Sequence, residues 1–243
     1  MSRMLALLYG VVCYLIFFVT FLYAIGFVGN LVVPKAIDSG APGSFGQALL
    51  IDLILLGIFA VQHSVMARPA FKRWWTQFVP QPIERSTYVL LSSLALILLF
   101  WQWQPMPDTI WDIQNEAGRY VLWTLFWLGW AIVLVGTFLI NHFDLFGLRQ
   151  VYHYLKGQEY TDIEFKTPFL YKLVRHPIML GFVIAFWATP HMTVAHLVFS
   201  IATTAYILIA LQLEEHDLVT CHGAAYEEYR RRVSMILPLP KRK

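Results

Sequence analysis

Long apolar windows separated by short polar connections run through the whole chain, and their lengths predict helices rather than strands. Uninterrupted apolar stretches cover residues 4–29, 47–66, 87–103 and 120–140, each close to or beyond the ~20 helical residues that a hydrocarbon core requires. A fifth apolar block, residues 178–211, would be roughly 50 Å long as one helix at ~1.5 Å per residue, too much for a single crossing. Thr189-Pro190-His191-Met192 lies in its middle, and proline removes a backbone donor and breaks a helix. The block therefore reads as two helices, residues 178–188 and 193–213, joined by a tight turn, the first too short to span comfortably. The expected fold is all-α: a polytopic membrane helix bundle of five to six transmembrane helices ending in a helix-turn-helix hairpin. No internal repeat or low-complexity segment interrupts it.

Composition agrees with that pattern. Only 14% of residues are charged, against about 25% in soluble domains, and the net charge of +3 is too small to imply a nucleic-acid partner. The first apolar stretch exceeds the apolar core of a signal peptide and lacks a small-residue cleavage site, so it is expected to stay as a span. Cys13 lies in that span and Cys221 in a polar tail, which argues against a disulfide framework or a thiolate zinc site.

The distribution of charge is more informative than its sum. Arg68, Lys72, Arg73 and Arg85 fill the second connection, Arg149, Lys156, Lys166, Lys172 and Arg175 the fourth, and Arg230, Arg231, Arg232, Lys241, Arg242 and Lys243 the tail. The positive-inside rule places these on the cytoplasmic face. The hairpin makes that assignment consistent, because a last block that goes in and returns leaves the fourth connection and the tail on one side. Residues 1–142 read as a transmembrane bundle, and residues 143–243 as a cytoplasmic loop, the hairpin and a C-terminal module.

Ionisable residues stand at both ends of the hairpin, where charge at membrane depth marks a functional site by default. The run Arg175-His176-Pro177-Ile178-Met179-Leu180-Gly181 precedes it, and Leu213-Glu214-Glu215-His216-Asp217-Leu218 with Gly223-Ala224-Ala225-Tyr226-Glu227-Glu228-Tyr229 follows. This RHPxxxG, EExxL, GxxYxxY series, over residues 170–238, resembles the C-terminal cofactor module of the isoprenylcysteine carboxyl methyltransferase superfamily. That resemblance implies an integral-membrane enzyme using S-adenosylmethionine.

The residues suit such a cofactor. Pro177 fits the first helical position, and the amides freed behind it, with the helix dipole, make a site for a carboxylate. Arg175 and His176 would extend that anion site. Gly181, one turn on, permits close approach of a ligand or of a neighbouring helix. Glu214 and Glu215 can accept hydrogen bonds from ribose hydroxyls or an amino group, or form a solvated helix end; the sequence does not say which of them contacts cofactor. Tyr226 and Tyr229 share a helical face and either close over an adenine or belong to an interfacial belt. Arg230 either contacts ligand or anchors the inner face. Met179 stands where the prenylcysteine enzymes carry tyrosine, so their substrate is not carried over.

Upstream, Gln62-His63-Ser64-Val65-Met66-Ala67-Arg68-Pro69, Glu84-Arg85-Ser86-Thr87-Tyr88 and the run from Asn141 to Gln150 look like the bacterial methanethiol S-methyltransferases, with part of the likeness shared by a denitrification-associated membrane family. The resemblance implies a small thiol substrate, dimethyl sulfide as product and a bacterial inner membrane location with the site facing the cytoplasm. An alkyl thiol is mostly protonated at neutral pH, so a base or cation is required. His142, Arg149 and His153 are the candidates, with Asn141, Phe146, Gln150 and Tyr152 as substrate positioners. Two further readings stay open: methylation of a lipidated or other bulky apolar substrate, and a non-enzymatic membrane protein or transporter of the same fold. His63, His191 and His196 read as structural, and no histidine pair has metal-ligand spacing on one span. The oligomeric state is left open.

Overall fold

A computed structural model describes residues 2–161 and 163–238; Lys241, Arg242 and Lys243, counted above among the basic tail, lie outside them. The elements run α1 (Arg3–Gly29), α2 (Phe45–Ala67), α3 (Pro69–Trp75), α4 (Gln81–Gln102), β1 (Thr109–Asp112), α5 (Glu116–Ile140), α6 (His142–Leu145) and α7 (Leu148–Lys156). A 3-10 turn at Phe169–Lys172 leads to α8 (Pro177–Trp187), β2 (His191–Thr193), α9 (Val194–His222) and α10 (Ala224–Arg232). Helices α1, α2, α4, α5 and α9 are long and apolar enough to cross a membrane, while α8 has only 11 residues. Large apolar side chains such as Val19, Val61 and Ile209 stay exposed on them, as lipid-facing positions do. The chain is an all-α integral membrane protein.

Two boundaries differ most from the hydropathy reading. α4 starts at Gln81 rather than residue 87, because its first turn holds Pro82 and Glu84, a good helix start that an apolar window overlooks. α9 continues beyond residue 213 to His222, so Glu214 and Glu215 lie inside the helix instead of following it. Polar residues carry it on until Gly223, at φ 54°, ends it.

Contacts divide the chain into two compact units, Met1–Pro107 with Asn141–Asp162, and Asp108–Ile140 with Ile163–Lys243. Each is discontinuous in sequence.

In the first unit α1 and α2 pack on α4, and the short α7 lies against α1 and α4. The turn into α7 needs Gly147: its φ is +87°, and a Cβ there would stand 2.7 Å from the Ser86 backbone nitrogen.

In the second unit α5 lies along α8 through a glycine on each. A Cβ on Gly129 would meet Gly181 O at 2.7 Å, and one on Gly181 would meet Gly129 O at 2.6 Å. Such small-residue contacts let membrane helices approach backbone to backbone, and the approach that Gly181 permits is therefore to α5. The hairpin breaks at Pro190 as expected, but the link is a short strand rather than a bare turn. β2 pairs antiparallel with β1, Thr109 opposite Thr193 and Asp112 opposite His191. The Thr193 hydroxyl accepts from His196 N and caps α9. His196 Nε2 and Ser200 Oγ meet Phe186 O at 2.9 and 2.7 Å, satisfying a carbonyl in the last turn of α8.

Candidate active site

The two halves of the sequence motif meet in the second unit. His176 is the N-cap of α8 and Pro177 its first residue. On α9, adjacent positions point about 100° apart, so one carboxylate of the pair turns inward and the other does not. The Glu215 side chain is 7% exposed and that of Glu214 is 45% exposed. Glu215 Oε1 accepts from Arg175 Nε at 2.6 Å, with Arg175 Nη2 at 2.5 Å and His176 Nε2 at 3.1 Å. A carboxylate only accepts, so the hydrogen between His176 and Glu215 is on Nε2. Nδ1 of the same ring is 3.9 Å from Glu214 Oε2.

Arg175 is the hub of this cluster. Its Nη1 donates to Arg230 O at 3.1 Å and to Val233 O at 2.5 Å. Its own amide donates to Ser234 O, and that of His176 to Met235 O, at 2.9 and 3.1 Å. Buried ions persist only where partners replace water, and here one carboxylate and two carbonyls do so. Arg230 contributes its carbonyl to this arrangement.

Beside it stands an aromatic group. Tyr226 and Tyr229 lie on one face of α10 with centroids 5.8 Å apart, and Phe165 sits 5.7 and 5.5 Å from them, edge to face. Tyr226 is fully buried, which removes it from any interfacial belt. The Tyr229 hydroxyl donates to Tyr171 O at 2.5 Å. Burial raises both phenols, that of Tyr229 to about 12, so each stays protonated. Phe165 was not singled out from the sequence, since it lies in a loop without periodicity.

The residues named for thiol chemistry fall in the first unit. Asn141, Arg149, Tyr152 and His153 line one open cleft of about 450 Å³ with Leu7, Phe143 and Leu148. His142, Phe146 and Gln150 do not line it. His142 is buried with Nε2 2.8 Å from the Tyr14 hydroxyl, and desolvation lowers its pKa. Phe146 stacks on Phe17 at 3.8 Å. Gln150 reaches toward Asp144 O, 3.2 Å away.

Arg149 is compensated rather than free. Its Nη1 meets Asp144 Oδ1 at 3.0 Å and Thr161 O at 2.9 Å, and its guanidinium lies over the Tyr160 ring at 5.2 Å. Asp144 Oδ1 also accepts from the Tyr160 hydroxyl at 3.0 Å. The organising role of Asp144 and Tyr160 was missed; an acid five positions before an arginine, across a glycine turn, was the available signal. Elsewhere in the unit His63 bonds Ser92 and Tyr88 between α2 and α4, the structural role its sequence position suggested.

The chemistry of the motif cluster fits a nucleoside bearing an amino acid. The exposed Glu214 carboxylate offers acceptors for an ammonium group or for ribose hydroxyls. The first-turn amides of Ile178 and Met179 have no acceptor within α8, and Tyr226 and Tyr229 belong to the same unit.

Comparison with known proteins extends this description. A family model described as NnrU protein matches residues 50–236. A methanethiol S-methyltransferase of Mycobacterium tuberculosis is 62% identical, over 100% of this chain and 99% of its own length. One from Crocosphaera subtropica is 60% identical, over 98% of this chain and 93% of its own. Methanethiol S-methyltransferase 2 of Bradyrhizobium diazoefficiens is 57% identical, over 98% and 91%. No solved structure matches the chain.

Proposed function

The chain belongs to the NnrU family and groups with the methanethiol S-methyltransferases, and from that premise we propose that it methylates methanethiol with S-adenosylmethionine, giving dimethyl sulfide and S-adenosylhomocysteine. The observation that carries the reading is the meeting of the two motif halves: Arg175 and His176 before α8 close on Glu215 near the end of α9. When bound, S-adenosylmethionine supplies an electrophilic methyl group on a sulfonium. Methyl transfer to the thiol would require that the thiol proton pass to a base of this chain.

This chain's residues do the rest by holding and orienting. Glu214 takes the ammonium or the ribose hydroxyls, and the α8 first-turn amides take the carboxylate. His176, fixed by Glu215, sets the edge of the site, and Tyr226 and Tyr229 stay neutral. In the first unit, Leu7, Phe143 and Leu148 give a small apolar substrate an apolar wall. Asn141 and Tyr152 position it, and His153 or Arg149 favours the thiolate. We place the protein in the bacterial inner membrane with the Arg175 cluster at the cytoplasmic face, in keeping with Lys172, Arg231 and Arg232 beside that cluster.

Membranes from expressing cells, supplied with methanethiol and methyl-labelled S-adenosylmethionine, test the reaction. Labelled dimethyl sulfide in the headspace is the expected result. Its absence, with the protein present and folded, overturns the reading.

A further inference from the structure

Arg175 is placed where a cofactor-binding arginine would stand, yet its donors are occupied from within the chain. Nε and Nη2 face Glu215 Oε1, Nη1 serves the carbonyls of Arg230 and Val233, and the side chain is 4% exposed. The Arg230 bond reaches the last turn of α10, and the Val233 bond the segment that follows it. Residue 234 forms a parallel bridge with Val174, and the amides of Arg175 and His176 donate to Ser234 O and Met235 O. That segment brings no side chain to the cluster among these contacts. It is tied by backbone, with Val233 at 58 positions' remove along the chain.

We propose that Arg175 is a positioning residue, a latch that docks residues 233–235 along the turn before α8 and so fixes α10, rather than a partner for the cofactor's carboxylate. Resting on the cofactor reading above, this deepens it: cofactor affinity depends on a C-terminal segment docked through its main chain. The reason is geometric. Tyr226 and Tyr229 sit on α10, and α10 is bounded on one side by Gly223, at φ 54°, and on the other by the latched segment. Release of the segment frees one end of the helix that carries both rings. A planar guanidinium can serve a carboxylate and two carbonyls at once, which a lysine ammonium cannot do in the same plane.

Two ligands separate a latch from a carboxylate contact. S-adenosylhomocysteine carries the amino-acid group, and 5′-methylthioadenosine carries the nucleoside and thioether without it. In full-length protein, Arg175→Lys is expected to weaken both by the same factor, about tenfold, in calorimetric titration, while kcat at saturating cofactor stays near the wild-type value. The Val233→Gly/Ser234→Gly double variant, which leaves Arg175 untouched but loosens the segment, should weaken both ligands likewise. Combined with Arg175→Lys it should add little, since the two changes act on one connection. Without any ligand, trypsin should cut at Arg231 and Arg232 sooner in either variant than in wild type, with the rest of the chain unchanged. A loss confined to S-adenosylhomocysteine would show that Arg175 meets the carboxylate and overturn the latch. So would unchanged affinity, or losses that multiply in the combined variant. Wild-type protein that binds neither nucleoside would instead overturn the cofactor reading, and the positioning role with it.

Discussion

Arg149 and Asp144 form an ion pair, Nη1 to Oδ1 at 3.0 Å, at the edge of the cleft that also contains His153. A cation already balanced by a carboxylate gives a thiol much less stabilisation than a free one, because the two fields nearly cancel beyond a few ångströms.

Arg149→Leu and Asp144→Leu should therefore behave as a coupled pair. Each alone is expected to lower both turnover and the unfolding midpoint, and the double variant to recover part of the stability, with a coupling of about 1 kcal/mol. Thermal unfolding in detergent with all four proteins measures it. Loss of turnover on Arg149→Leu, with Asp144→Leu silent, would return Arg149 to a direct role toward the thiolate.

His153 then becomes the stronger candidate for the base. His153→Ala should depress methanethiol turnover by about 10²-fold or more while cofactor affinity is unchanged. A variant that keeps the wild-type rate places proton removal elsewhere.

His142 should show its effect in stability instead. Burial lowers its pKa in the folded state below the ordinary 6.5, so the unfolded chain binds more protons as pH falls. Its contribution is complete above about pH 6.5 and is lost as pH drops below that value. The unfolding midpoint of wild type should fall between pH 7 and pH 5 more steeply than that of His142→Gln. Parallel curves would contradict the assignment.

The neighbouring glutamates should separate cleanly. Glu215→Ala leaves the buried Arg175 without its counter-charge and is expected to cost about 3 to 5 kcal/mol of stability. Glu214→Ala, at the exposed position, should leave the unfolding midpoint near wild type and weaken S-adenosylhomocysteine binding. Equal midpoints for the two variants would show that the inward-facing pair carries no structural weight.

The hairpin has a topological consequence. Cysteines at Lys172 and Arg231 should label from one side of the membrane, and a cysteine at Ile110, on β1, from the other. Labelling of all three from one face would exclude α5 and α9 as crossings.

Much of this fold was legible because hydropathy and membrane thickness constrain a helix strongly. The apolar windows located α1, α2, α4, α5 and both arms of the hairpin, and Pro190 marked the break between the arms. The ribbon was not legible, since β1 and β2 are short and pair across about 80 residues, beyond the reach of any local pattern. At the site, the motif spacing brought Arg175, His176 and Glu215 to notice, but not which glutamate turns inward; a one-residue step on a helix is settled by packing. The carbonyls of Arg230 and Val233 left no trace, because any residue supplies a carbonyl. Asp144 was visible as an acid, and only the turn at Gly147 reveals that it faces Arg149.

The β1–β2 pairing also orders events during synthesis. Thr109 leaves the ribosome long before Thr193 exists, so the strand ahead of α5 must wait, unpaired, while α5 enters the bilayer and the 160s loop is made. Loop closure over such a span is entropically slow. α8, too short to hold itself across the membrane, gains its place only through α5 and the arm that follows it. Maturation of the enzyme is thus set by its last hairpin, and a ribosome stalled before α9 would leave a chain with four inserted helices and the motif still open.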